Sequence, residues 1–377
     1  MPGGTDRSLN VLVGVGVVDC SSSVPGMFCT QLLATYGASV TTVVDLSGEQ
    51  RTLFRDTHLA TDEVYAPYLQ RRKRVLPLDL SLDGGRAELN GLIREADCVV
   101  DDWSADLLNY LASGTESGFG RDRSLVVASV TPHGHSGPRR EAPASDLTIF
   151  HGGGPGFATP GLVPDPAVMP PLRMGSHQGL FASGLAAAVN LSAALLLARR
   201  RKEAGIIRVD FSCHEAQTNV FRQSLGTFTY YGGGLNRDLS RGRGAGGTAE
   251  HRNVKCKDGW FNLAWAGVQW WDSLKELLDY PEWMEDELLS TPALRYKNWA
   301  VVLPRLEEWA QQYDREYLFN ICQGYRIPSA PVNEGADLIK SSAFASRDFW
   351  DGSAGSKMPG APSRFERRAV EPTSGAR

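Results

Sequence analysis

No charge of one sign dominates this chain: 39 Lys and Arg against 43 Asp and Glu leave a formal net charge of −4. That balance removes the usual reason to expect nucleic acid or an anionic membrane surface as a partner. Cysteine is sparse and unpatterned. Cys20, Cys29, Cys98, Cys213, Cys256 and Cys322 are scattered with neither CxxC nor the Cys/His spacing of a metal site. Reduced, mostly buried thiols in a cytoplasmic protein, with no bound metal, are therefore expected. Also lacking are an uninterrupted apolar run of membrane-spanning length and, in the opening residues MPGGTDRSLN, a secretory pattern. The first strand is not followed by GxGxxG, so no dinucleotide fingerprint marks its turn.

What is present is enough chain, 377 residues, for two domains and a sizeable core. Buried strands at 11–19, 39–45, 96–101 and 124–130 alternate with helical stretches, one of them near Met27 to Tyr36. This alternation predicts an α/β fold, a doubly wound, Rossmann-like parallel sheet with helices on both faces. Residues 131–175 are rich in Pro and Gly and read as long loops, and a helix is expected from Glu215 to Phe228. Tyr231 to Gly247 carries seven glycines and excludes extended regular structure. From about 250 to 320 a hairpin, a Trp-rich stretch (Trp260, Trp265, Trp270, Trp271) and two or three helices form a smaller α+β unit. The expected division is a large domain over 1–215, a linker helix, Gly-rich loop and small domain over 216–325, and a return to the large domain over 326–377.

The segment Gly175 to Ala216 is the most informative. From Ser183 to Ala198 nearly every residue is Ala, Leu, Val, Gly or Ser, the composition of a helix buried on most sides. Arg199 to Lys202 suit its C-terminal dipole end, Gly205 ends it, and Arg208 to Ser212 alternate as a strand. This order resembles the class III CoA-transferases, the carnitine and formyl-CoA transferase family (CaiB/BaiF) that includes α-methylacyl-CoA racemase. Elsewhere Gly37 to Asp45 resembles the family's GADVIKVE strand, Arg71 to Leu80 its NKRSIxLDL, and Ala96 to Trp103 its ADVVVENF. Cys256 to Phe261 resembles CKDGYV, and Arg326 to Val332 resembles RVPxAPV. The resemblance covers roughly residues 10 to 350 and implies an interlocked homodimer with CoA or an acyl-CoA as substrate.

It also implies site residues. In the transferases an Asp near the start of the long helix attacks the acyl thioester. Aligned on Ser183-Gly184, its place falls on Leu180, and the racemase Asp on Gly179; neither residue attacks a thioester or moves a proton. Ser145 stands where racemases carry a His base. Asp146, retained in many members, either orients a loop or takes a proton. His177, in a Gly-rich turn at the helix start, is the preferred acid/base residue or else a capping histidine; His151 and Glu250-His251 are poorer candidates. For CoA, the basic run Arg71, Arg72, Lys73 and Arg74 offers cations to phosphates or is a solvated turn. Ser22 and Val24 lie in the turn after the first strand, and Trp103 matches an aromatic near the adenine or packs in a junction. Gly242 to Gly247, with Arg241 and Arg243, reads as a mobile lid or a linker.

Three functions follow: a CoA-transferase acting on an acyl-CoA or small carboxylic acid by a non-standard mechanism, a relative recruited to elimination, isomerisation or cyclisation, or a non-catalytic ligand-binding homologue.

Overall fold

In the computed structural model, residues 10–104, 107, 123–159, 161, 163, 165–201, 203–232, 251–352 and 357–366 are described. The Gly-rich stretch 242–247, Arg241, Arg243 and Glu250 lie outside them, as does the side chain of His251. Two compact units emerge: residues 1–156, 173–220 and 346–377 form the first, and 157–172 with 221–345 the second. The return to the first unit thus falls about 20 residues later than expected, and the loop 157–172 belongs to the second unit.

The first unit is built on six parallel strands: β1 (Gly16–Asp19), β2 (Ser39–Asp45), β3 (Lys73–Leu78), β4 (Cys98–Asp101), β5 (Leu125–Thr131) and β6 (Ile206–Ser212). Their order is β3-β2-β1-β4-β5-β6, so the winding reverses between β1 and β4. β-Branched side chains make these strands. Val17, Val40, Cys98, Val100, Val126 and Ala128 enter one core, and their chain neighbours Val18, Val99 and Val127 enter another on the opposite face, the period-two alternation of a sheet covered on both sides.

On the first face lie α1 (Val24–Thr35), α3 (Asp146–Gly152), α4 (Gln178–Arg200) and α5 (Cys213–Val220), and on the second α2 (Asp83–Glu95), whose Leu89 and Ile93 are fully buried. Each such side chain contributes about 1.5–3 kcal/mol. α1 starts at Val24, three residues before the expected position, because Pro25 fits the first helical turn. β1 is shorter than the apolar run predicts, since Val11 to Gly14 form a turn. The predicted helix from Glu215 is instead two: α5 and α6 (Arg222–Tyr231).

With 23 residues, α4 is long and apolar enough to cross a membrane by length and composition, where no uninterrupted apolar run of that length was expected. It is a core helix of this unit. Gly179, Leu180, Ser183, Gly184, Ala187, Ala188, Leu191, Ala194 and Leu195 form one buried stripe. A β-carbon on Gly184 would lie 2.7 Å from the Pro25 carbonyl, so glycine is what lets α4 close on α1. The opposite face is apolar and open, with Leu185, Val189, Leu196 and Leu197 exposed, where burial on most sides was expected.

The second unit carries the antiparallel strands β7 (His251–Cys256), β8 (Gly259–Ala264) and β9 (Ser329–Pro331). Helices α7 (Val268–Leu277), α8 (Trp299–Ala310) and α9 (Arg315–Gly324) share its core. Trp265 and Trp271 are buried there, and the Arg295 guanidinium lies 4.5 Å from the Trp271 ring.

Candidate active site

Two places in the first unit gather polar groups, the second of them around a cavity. The first is the start of α4. Asp146, the first residue of α3, is 1% exposed. Its Oδ1 accepts the Leu180 backbone N–H at 3.1 Å and its Oδ2 accepts from Arg173 at 3.1 Å, with His177 Nδ1 at 4.0 Å. Arg173 also stands 3.5 Å from His177 Nδ1, and the Tyr65 ring meets the His177 ring edge-on at 5.7 Å. His177 and Asp146, separate candidates in the sequence, are therefore neighbours here. Ser145 takes a capping place, its N–H donating to Thr148 Oγ1 at 2.8 Å.

The turn itself is strained: Ser176 and His177 have φ of 57° and 53°, the left-handed region that non-glycine residues seldom occupy. Such strain persists where surrounding contacts over-determine it, often at working sites. Gly179 is required because a β-carbon there would lie 2.9 Å from Asp146 Oδ1.

Leu180, on which the nucleophile's place falls by resemblance, is a core residue. Its side chain is 1% exposed and belongs to the core between α4 and the sheet, so residue 180 is enclosed by the protein. The side chains presented at this turn include those of Ser176 and Gln178, which are exposed, and His177, which is partly so. Arg173 and Ser176 escaped the sequence reading because the preceding Pro- and Gly-rich stretch read only as loop; the one local signal was a lone Arg in an otherwise apolar PPLRMG run.

The second place is the crevice at the carboxyl ends of β1 and β2, beside the point where the strand order reverses, the usual ligand position in such sheets. A cavity of about 380 Å³ opens there, lined among others by Cys20, Ser22, Asp45, Arg51, His58 and Trp103. Trp103 is 4% exposed and donates from Nε1 to the Cys20 carbonyl at 3.0 Å. Arg51 lies 4.7 Å from its ring and pairs with Asp45 at 2.7 Å, which helps hold the Asp45 carboxyl below the usual range against the opposing effect of burial. Asp102 Oδ2 accepts the N–H groups of Ser22 and Ser23 at 2.9 and 2.7 Å, occupying the start of α1. Burial pushes the Asp102 carboxyl up to about 6.

Of the expected CoA contacts, Ser22 and Trp103 line this cavity; Val24, 1% exposed, is core instead. The basic run is divided by β3. Lys73 points inward with no exposed side chain, its Nζ bonded to Asp19 Oδ2 at 3.0 Å, the Met27 carbonyl at 2.8 Å and Thr30 Oγ1 at 2.7 Å. Burial pulls its pKa down against the opposing Asp19 charge. A sealed lysine with three partners is not available to a phosphate, which corrects its assignment. Arg72 pairs with Asp351 at 2.5 Å, Arg71 donates to the Pro359 carbonyl at 2.8 Å, and Arg74 is exposed on the edge strand.

Residues 12–376 match the family described as CoA-transferase family III. The chain belongs to that family. Among relatives, a formyl-CoA:oxalate CoA-transferase of Afipia carboxidovorans is 25% identical over 360 residues, covering 88% of this chain and 81% of its own. The succinyl-CoA:(R)-benzylsuccinate CoA-transferase subunit BbsE of Thauera aromatica is 26% identical over 370 residues, covering 93% and 87%. The crystal structure of a CAIB/BAIF family protein from Brucella suis superposes with a TM-score of 0.77 at 23% identity, covering 96% of this chain and 93% of that one. The six-stranded parallel sheet described here is thus that of a family III chain.

Proposed function

We propose that this protein transfers CoA between an acyl-CoA and a small carboxylic acid through a ternary complex, without an enzyme-bound anhydride. One observation carries the mechanism: Leu180 is sealed in the core, while His177, Asp146 and Arg173 gather at the open turn beside it. The acid carboxylate attacks the thioester carbonyl, the C–S bond breaks, and CoA leaves as thiolate. The thiolate then attacks the other carbonyl of the free mixed anhydride and releases the first acid as its carboxylate. No net proton is taken up. His177, with Asp146 and Arg173 beside it, orients the acid and stabilises charge on the carbonyl oxygens, a role that preorganised donors fill well. The crevice beside Trp103 holds the nucleotide end of CoA.

Relatives named for transfer from formyl-CoA to oxalate and from succinyl-CoA to benzylsuccinate support the substrate class. Initial rates measured while varying acyl-CoA and acid together should give intersecting lines, with no acyl-enzyme trapped by hydroxylamine. Parallel lines with a trapped adduct would overturn the ternary route, and no exchange at all would overturn the transferase reading. In that case the isomerase or lyase reading gains, because His177 beside a buried carboxylate is also equipped to move a proton next to a thioester.

The exposed apolar face of α4, Leu185, Val189, Leu196 and Leu197, supports a homodimer in which a second copy covers it.

A further inference from the structure

Arg173 commits only one corner of its guanidinium to the protein. Its NH1 is 3.1 Å from Asp146 Oδ2 and 3.5 Å from His177 Nδ1, and among the described residues no acceptor is bonded to Nε or NH2. Asp146 is 1% exposed, whereas the Arg173 side chain keeps 36% of its surface open. The fork is therefore held from behind and free in front, the arrangement that receives a second carboxylate through paired N–H donors.

Its surroundings favour an anion. α4 is 23 residues long, and the N–H groups of its first residues, Gln178 and Gly179, have no acceptor within the helix. The Leu180 N–H is already taken by Asp146 Oδ1, so Asp146 answers part of the helix's positive end and part of Arg173 and leaves the rest of both. His177 completes the rim, fixed by the Tyr65 ring. A neutral alcohol, amine or water gains little from such a set of donors; a carboxylate gains two charge-assisted bonds.

We propose that Arg173 is the residue that recognises the acid substrate by its carboxylate. This rests on the transferase reading given above. Arg173 is a binding and specificity residue, with the thioester chemistry taking place beside it.

Titration calorimetry with oxalate, succinate, mesaconate and the neutral succinamide separates the possibilities on wild type, Arg173→Gln and Arg173→Lys, with thermal unfolding as the folding control. At least one acid should bind wild type while succinamide does not. Arg173→Gln should weaken that acid by about 10- to 100-fold with CoA affinity unchanged, and Arg173→Lys, which keeps a charge near Asp146 but loses the fork, should fall between. In the exchange assay the Arg173→Gln loss should appear in the KM for the acid rather than in kcat. Equal acid binding by Arg173→Gln, equal binding of succinamide, or no acid binding by wild type would each overturn the assignment. Arg173-dependent acid binding without CoA exchange would count against the transferase reading alone. Exchange with an unaltered acid KM in Arg173→Gln would count against Arg173 alone.

Discussion

At the turn before α4, Ser176 and His177 both hold a left-handed backbone, at a cost of about 1–2 kcal/mol each. Contacts on either side fix that conformation: Arg173 and Asp146 on one, the Tyr65 ring on the other. The side chains there are consequently aimed outward, and two substitutions four residues apart should behave in opposite ways. Ser176→Asp places a carboxylate on the exposed turn and should allow an acyl-enzyme to be trapped by hydroxylamine, detected as a mass shift on that peptide. Leu180→Asp places the same group in the core next to buried Asp146, at a cost of about 3–5 kcal/mol, and should lower Tm sharply without any adduct. An adduct on Leu180→Asp, or a stable Leu180→Asp protein, would refute this placement. His177 and Asp146 were legible because each is a titratable residue in a recognisable stretch. Arg173 was not, because its partner lies 27 positions away and only folding joins them. Lys73 misled for a related reason: a basic run in sequence says nothing about which of its members the strand turns inward.

At the scale of the element, α4 shows how composition and orientation part company. Ala, Leu and Gly made the helix readable, and its observed ends, Gln178 and Arg200, lie within a few residues of those expected. Its second face was not readable, since an apolar surface kept for a partner has the same letters as one kept for the core. β3 was missed as a strand for the converse reason: an edge strand with Arg74 and Val75 exposed does not carry the continuous apolar run of β5. Placing charges on the open face of α4, as in a Leu185→Glu, Val189→Glu double variant, should convert a dimer to monomer in sedimentation velocity at micromolar concentration. The fold of the protomer should persist in far-UV circular dichroism. Wild type sedimenting as a monomer would remove the basis for the second-copy reading.

Across the whole molecule, the parallel sheet and its two helical faces followed from strand and helix alternation for every strand but β3, because a parallel sheet buried on both sides leaves little choice of residue. The division of the chain was less legible. Residues 157–172 and 326–345 belong to the second unit; the Pro- and Gly-rich runs HGGGPG and PPLRMG around the first read only as loop, and no such run marks the change at 345–346. The carboxyl ends of β1 and β4 carry Asp19, Asp101 and Asp102, all buried, behind the lining of the crevice where a nucleotide's phosphates would be expected to meet cations. Asp102 already fills the two N–H groups of Ser22 and Ser23 at the start of α1. With that amide seat taken by the protein's own carboxylate, and Arg51 bound to Asp45, the crevice has little counter-charge to offer. Attachment of a nucleotide there would draw on ring contact and shape, forces that dissolved ions scarcely screen, whereas charge neutralisation fades once the Debye length falls below about 10 Å. The Kd for CoA should therefore move by less than about threefold between roughly 0.05 and 0.5 M sodium chloride. A steep decline in affinity over that range would mean that phosphates, and not the Trp103 pocket, hold the ligand.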